Sequence, residues 1–318
     1  PIYISVWDLV EWRVSEFCDK IISETIDEYK NRLGIGLKFR ELAKLPYDSL
    51  TELFKQWELK AEIGELIKIV LSKKNEETSV NKMVEDAFLF PEKMAAKTGT
   101  KAVLMIDEFP GVTDLINGKK IGYGIVGKIR TIHEKYRHTT LCVSGSIAKT
   151  METAVLSPSS AFYGQLTPIH VEALSLEETR ELVKKNLAGA DEETILQIFE
   201  ITKGYPLYTH AIGLRLLNQD KASPEKVREA YQKFLEEEGT LLFKKEFYGY
   251  SNKERSIIIQ LAKGIQTPAE IARNSGNESD TVSKLLSYLE EKGAVEKNEA
   301  KYTLSDPIFE TWVKKTFG

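Results

Sequence analysis

Two short apolar runs, each stopped by polar residues, constrain this chain more than any other feature. Ala102-Val103-Leu104-Met105-Ile106 ends in Asp107-Glu108, and Thr139-Thr140-Leu141-Cys142-Val143 ends in Ser144-Gly145-Ser146. Continuous runs of strand length suit strands covered on both faces, as in parallel sheets flanked by helices. The residues between them supply a crossover, because 121–137 reads as a helix. Ile2-Tyr3-Ile4-Ser5-Val6 reads as a further buried strand before an amphipathic stretch over 9–33 that is closed by Gly34 and Gly36. Helical periodicity continues over 39–97 with breaks at Leu45-Pro46-Tyr47 and Phe90-Pro91, and 168–171 (PIHV) is expected to form one more short strand. Alternation of this kind predicts an α/β fold with a parallel sheet.

At Ser175 the character changes. Ser175 and Glu178 form a capping-box pattern, and the chain then reads as helical to about Glu238. Gly204 closes one helix there, Pro206 opens the next, and Ser223-Pro224 starts another. Beyond Asn252 come helices over 254–263, from Thr267-Pro268 to Gly276, and over 278–292, followed by Gly293 and a hairpin over 295–304 around Asn298-Glu299. Three helices and a hairpin in that order predict a winged helix-turn-helix.

The 318 residues suggest two or three domains, and 42% hydrophobic residues are enough to build their cores. The 44 basic and 48 acidic residues leave a net charge of −4, which argues against a protein that coats polyanions by bulk charge. Cys18 and Cys142 show neither metal-ligand spacing nor a disulfide framework. There is no membrane-length apolar run and no secretory leader, so a cytoplasmic location without membrane contact is expected. His133, His138, His170 and His210 lack helical i, i+4 spacing and are read as structural or surface residues. Trp7, Trp12, Trp57 and Trp312 read as core or interface aromatics, and Glu236-Glu237-Glu238 as a solvated helix end.

Chemistry concentrates at the two strand ends. In open α/β sheets ligands bind at the carboxyl ends of the strands, and an acid there, Asp107, can hold waters of a Mg²⁺ bound to phosphates. Glu108 could then take a proton from the attacking water. The plainer alternative is two acids that end and solvate a strand. Ser144 or Ser146 could contact a terminal phosphate or orient water, or could belong to a turn that caps the helix at Ile147.

The order of VLMIDE (103–108), VSGS (143–146), SSAFYG (159–164), LSLEE (174–178), GYPLYTHAIG (204–213) and SDPIFETWV (305–313) resembles the archaeal ATPase family of signal-transducing AAA+ P-loop NTPases, over essentially the whole chain. The resemblance implies an AAA+-like nucleotide-binding core over 1–173, an all-α lid over 174–240 and a winged helix-turn-helix domain over 241–318. It also implies ATP and Mg²⁺ as ligands, a Walker B pair at Asp107 and Glu108, a sensor-type hydroxyl at Ser146 or Ser144, and a lid motif at Gly204-Tyr205-Pro206 that packs on the base or ribose.

Two departures stand out. No GxxxxGK[ST] loop occurs; Gly122 to Lys128 has the spacing, but Ile129 replaces the hydroxyl and the segment follows the Asp107 strand instead of preceding it. The chain opens inside a strand, so a phosphate-binding loop is expected upstream of Pro1. Gln165 follows Gly164 where the family usually has Arg. Residues 251–318 hold ten basic and ten acidic residues, and the would-be recognition helix carries Glu278, Asp280, Glu290 and Glu291 against Lys284 and Lys292. That charge does not favour DNA, and a protein partner through the lid or winged helix is expected instead. The expected function is an ATP-hydrolysing switch; the alternatives are a DNA-binding regulator or initiator, and a scaffold that has lost its nucleotide.

Overall fold

Strand β1 (Ile2–Ser5) pairs in parallel with β2 (Ala102–Asp107), and β2 pairs in parallel with β5 (Thr139–Val143). The register sets Ser5 opposite Asp107 and Ile106 opposite Val143, so the polar residues gather at one end of the sheet. A computed structural model describes residues 1–33, 79–187, 189–217 and 222–318, and the chain divides into two units, Pro1–Thr167 and Pro168–Gly318. The periodicity expected over 39–78, with Gly34, Gly36, the Leu45-Pro46-Tyr47 break and Trp57, lies outside the described residues.

In the first unit, helices α1 (Val14–Leu33), α2 (Val80–Thr98) and α3 (Gly122–His133) belong with the sheet to one core. Ile2, Ile4, Leu104, Ile106 and Leu141 are buried against Phe17, Phe88, Phe90 and Ile129. The alternation along each strand corrects the expectation of strands buried on both faces: Val103 is 39% exposed and Tyr3 54% exposed. Apolarity alone cannot distinguish a run with one covered face from a run with two. A second correction concerns 168–171, which joins no sheet; Ile169 and Val171 are 85% and 95% exposed. Pro168, Ile169 and Val171 have no partner strand there among the described residues. A small hairpin, β3 (Ile116–Asn117) with β4 (Lys119–Lys120), precedes α3. After β5 comes the short α4 (Ala148–Met151), continued by a π-helical turn over Glu152–Leu156.

The second unit is helical apart from one hairpin. Its helices α5 (Leu176–Asn186), α6 (Glu192–Thr202), α7 (Pro206–Leu216) and α8 (Pro224–Phe234) start at side-chain or proline signals readable in the sequence. The Ser175/Glu178 capping box forms in both directions. A π-helical segment, Leu235–Gly239, joins α8 to α9 (Thr240–Gly249) without a break. The glutamates read as a solvated helix end therefore lie mid-helix, where Glu237 and Glu238 hold Arg215 at 3.1 and 2.6 Å. Helices α10 (Asn252–Ala262), α11 (Pro268–Ser275) and α12 (Ser279–Glu291), the antiparallel pair β6 (Val295–Asn298) and β7 (Lys301–Leu304), and α13 (Pro307–Phe317) follow. Tyr208, Phe234 and Leu235 share one apolar cluster with Phe243, Phe309 and Trp312, so 174–240 and 241–318 are packed together within this unit.

Candidate functional site at the sheet end

Asp107 closes β2 and stands half-buried between its two neighbouring strands. From β5, the Ser144 hydroxyl donates to Oδ1 at 2.6 Å; from β1, the Tyr3 hydroxyl donates to Oδ2 at 3.0 Å. The Ser144 bond, opposed by burial and joined by the Tyr3 bond, holds the Asp107 carboxyl below its ordinary value. The same carboxylate pushes the Tyr3 phenol upward, so it remains a donor. The backbone fixes this arrangement too: Ser144 N–H donates to Ile106 O at 3.0 Å and Phe109 N–H to Ser144 O at 2.9 Å, extending the β2–β5 pairing past the last strand residue.

Glu108 follows in the left-handed region at φ 52°. Non-glycine residues pay about 1–2 kcal/mol for that conformation, and such outliers gather at functional sites. The twist turns Glu108 toward the β5 end, with Ser146 N–H 3.5 Å from its Oε2. Gly145, between the two serines, is closely packed, since a Cβ would fall 2.7 Å from Met151 Cγ and 3.1 Å from Pro110 Cδ and the Met151 side chain would have to shift. The structure thus brings Asp107, Glu108, Ser144 and Ser146 together, and adds Tyr3. Sequence reading missed Tyr3 because only strand register brings it beside Asp107.

The oxygen donors here suit a hard cation such as Mg²⁺. Each Asp107 oxygen accepts one hydroxyl and the Glu108 N–H also bonds the carboxylate, whose four lone-pair sites are not all filled by these three bonds, which fits contact through metal-bound water. No group of three or more His, Cys, Asp or Glu residues is placed to hold a metal among the described residues.

The other singled-out residues fall elsewhere. Gly122 to Lys128 is the first part of α3, with Ile125, Val126 and Ile129 buried and Lys128 Nζ 3.2 Å from Glu85. Gln165 is exposed beyond the 159–164 turn, its N–H donating to Phe162 O at 2.8 Å. Gly204, Tyr205 and Pro206 belong to the second unit and have partners inside it. Gly204 is buried at φ 76°, where a Cβ would lie 1.9 Å from Leu174 O. The Tyr205 hydroxyl donates to Ser305 O at 2.6 Å, the Tyr208 hydroxyl to Asp306 Oδ2, and Pro206 is exposed as the first residue of α7. His138 Nδ1 lies 3.0 Å from Glu92, His133 sits against Phe162, and His170 and His210 are exposed. Cys18 is buried and Cys142 exposed, both free. Trp12 and Trp312 pack in cores, whereas Trp7 is 66% exposed. Among the described residues no helix is long and apolar enough to cross a membrane.

No protein-family profile matches the chain, and no curated protein matches it either. Among solved structures it is similar to the Walker-type ATPase PABY2304 of Pyrococcus abyssi, with a TM-score of 0.71 and 14% identity over 98% of this chain and 83% of that one. A structure of the Thermotoga maritima RuvB Holliday junction branch migration motor matches 73% of this chain and 83% of its own at 13% identity, with a TM-score of 0.36. At these identities the likeness to the Pyrococcus protein is one of fold: a parallel sheet with helices, as in a P-loop ATPase.

Proposed function

We propose that this protein is an ATP-binding, ATP-hydrolysing switch of the AAA+ type. The observation that carries the reading is the Asp107 carboxylate, clamped by hydroxyls from both adjacent strands at the carboxyl end of a parallel sheet, with Glu108 beside it. A fold shared with a Walker-type ATPase supports it.

In this reading Asp107 would hold waters of a Mg²⁺ carried by the nucleotide, which would supply charge neutralisation at the phosphates. Glu108 accepts the proton of the attacking water. Ser144 orients Asp107, and the Ser146 hydroxyl contacts the terminal phosphate or orients the water beside Glu108. Holding the phosphates in this reading also needs a phosphate-binding loop, and no GxxxxGK[ST] occurs in residues 1–318. Residues 174–240 act as a lid whose Gly204-Tyr205-Pro206 segment meets the base or ribose; the exposure of Pro206 beside a buried Gly204 supports that contact. Residues 241–318 act as a winged helix, and their exposed acids Glu278 and Asp280 at the start of α12 favour a protein partner over DNA. A cytoplasmic location belongs to the same reading.

The test is turnover and binding in the full-length protein. Glu108→Gln is expected to lower ATP hydrolysis by about 10²–10⁴-fold while ATP still binds, the range for losing a positioned base. Unchanged turnover removes Glu108 from the mechanism, and absence of ATP binding in the unaltered protein removes the ATPase reading.

A further inference from the structure

Tyr3 is an unusual user of a strand position. It sits on β1 directly opposite Met105, and residues two apart on a strand share a face, so Tyr3 and Asp107 are diagonal neighbours on one side of the sheet. The diagonal is within reach of an aromatic side chain, and the phenol oxygen ends 3.0 Å from Oδ2. The ring gains little from burial, since 54% of the residue is exposed. What the position uses is the hydroxyl. With Ser144 on Oδ1 and Tyr3 on Oδ2, rotation of the carboxylate about χ2 breaks two hydrogen bonds at once, one to each neighbouring strand.

We propose that Tyr3 is a positioning residue for Asp107: its phenol locks the carboxylate in the one orientation that receives the waters of a divalent cation carried by the nucleotide. This rests on the ATP reading above. Tyr3 touches neither nucleotide nor cation; it acts through Asp107. Phenylalanine keeps the ring and removes the lock.

The experiment measures binding, with Mn²⁺ as the spectroscopically visible cation. Affinities for Mn²⁺·ATP and for ATP in excess chelator are determined on the full-length protein, on Tyr3→Phe and on Tyr3→His, which returns a donor. Tyr3→Phe is expected to weaken Mn²⁺·ATP binding by about 3–10-fold, the scale of one partly exposed charge-assisted hydrogen bond, with metal-free ATP binding unchanged. Tyr3→His is expected to recover part of the loss. Wild-type affinity in Tyr3→Phe for both ligands overturns the proposal, as does an equal loss for both, which marks a structural role. If the unaltered protein binds neither ligand, the ATP reading fails and the positioning role with it. If it binds both and only the variant behaves like wild type, the positioning role alone fails.

Discussion

In the α/β unit the hydroxyls of Tyr3 and Ser144 donate to a carboxylate at an open strand end, whereas in the helical unit those of Tyr205 and Tyr208 donate into a joint between α7 and the start of α13. The capping pattern separates the same two regions. In the second unit Ser175, Asp191, Ser223, Ser251 and Asp306 each accept a first-turn amide, so five of the polar groups before its helices are used in folding, while Thr267 and Glu278 make no such bond. Around Asp107, the segments that follow Glu108, Ile121 and Met151 begin without any side-chain cap. A polar group that folding leaves unused is available for a ligand. The contrast separates a polar cluster at the open sheet end from hydroxyls that tie helices together in the helical unit.

The largest stability effect expected is in the helical unit. Gly204→Ala adds a Cβ 1.9 Å from Leu174 O at a left-handed position, and unfolding of α6 and α7 should become easier by about 4 kcal/mol, read from the urea midpoint or from hydrogen exchange of those helices. A loss below about 1 kcal/mol would mean that the 174–204 contact yields freely. Next, Asp306→Ala removes the acceptor for Ile308 N–H and Phe309 N–H and strands the buried Tyr208 hydroxyl. About 2–3 kcal/mol should be lost, and exchange should accelerate in both α7 and α13 if the joint couples them.

A smaller effect follows pH. Glu254 is 5% exposed; burial raises its carboxyl, but bonds from Ser251 and the Lys292 ammonium outweigh this and hold it below the usual value. A lowered folded-state pKa gives stability that is fully present above the unfolded value of about 4.3 and lost as pH falls through the folded value. The stability gap between wild type and Glu254→Gln should therefore be constant near neutrality and close below about pH 4, measured by urea unfolding. A gap that widens on acidification would reverse the sign. Smallest of all, Ser144→Ala should change stability by no more than about 0.5 kcal/mol, because its bond lies at an exposed strand end. A larger loss, by thermal or urea unfolding, would place Ser144 among the structural groups and blur the distinction between the units.

Much of this contrast is legible in the sequence, for physical reasons. The β2 and β5 runs, Asp107 at its strand end and the capping box at Ser175 depend on neighbours a few residues away. The pairing of Tyr3 with Asp107 and of Tyr208 with Asp306 joins residues about a hundred positions apart, through register and helix packing that no local pattern encodes. The strand expected at 168–171 fails for the converse reason, since β-branched residues show propensity but not the existence of a partner. The helix continues through 235–249, across the position near 240 where the resemblance implies a domain boundary.

That turn, Leu235–Gly239, also sets an angular phase. At about 100° per residue, an unbroken α-helix would point Phe234 and Phe243 about 180° apart. The wider turn absorbs one extra residue and takes about 100° out of the count, bringing both rings into a single apolar cluster. Deleting one residue from 235–239 would rewind the turn to a regular α-helix and keep that phase, eight steps of about 100° each, whereas inserting one would swing Phe243 and Phe247 out of line with Phe234.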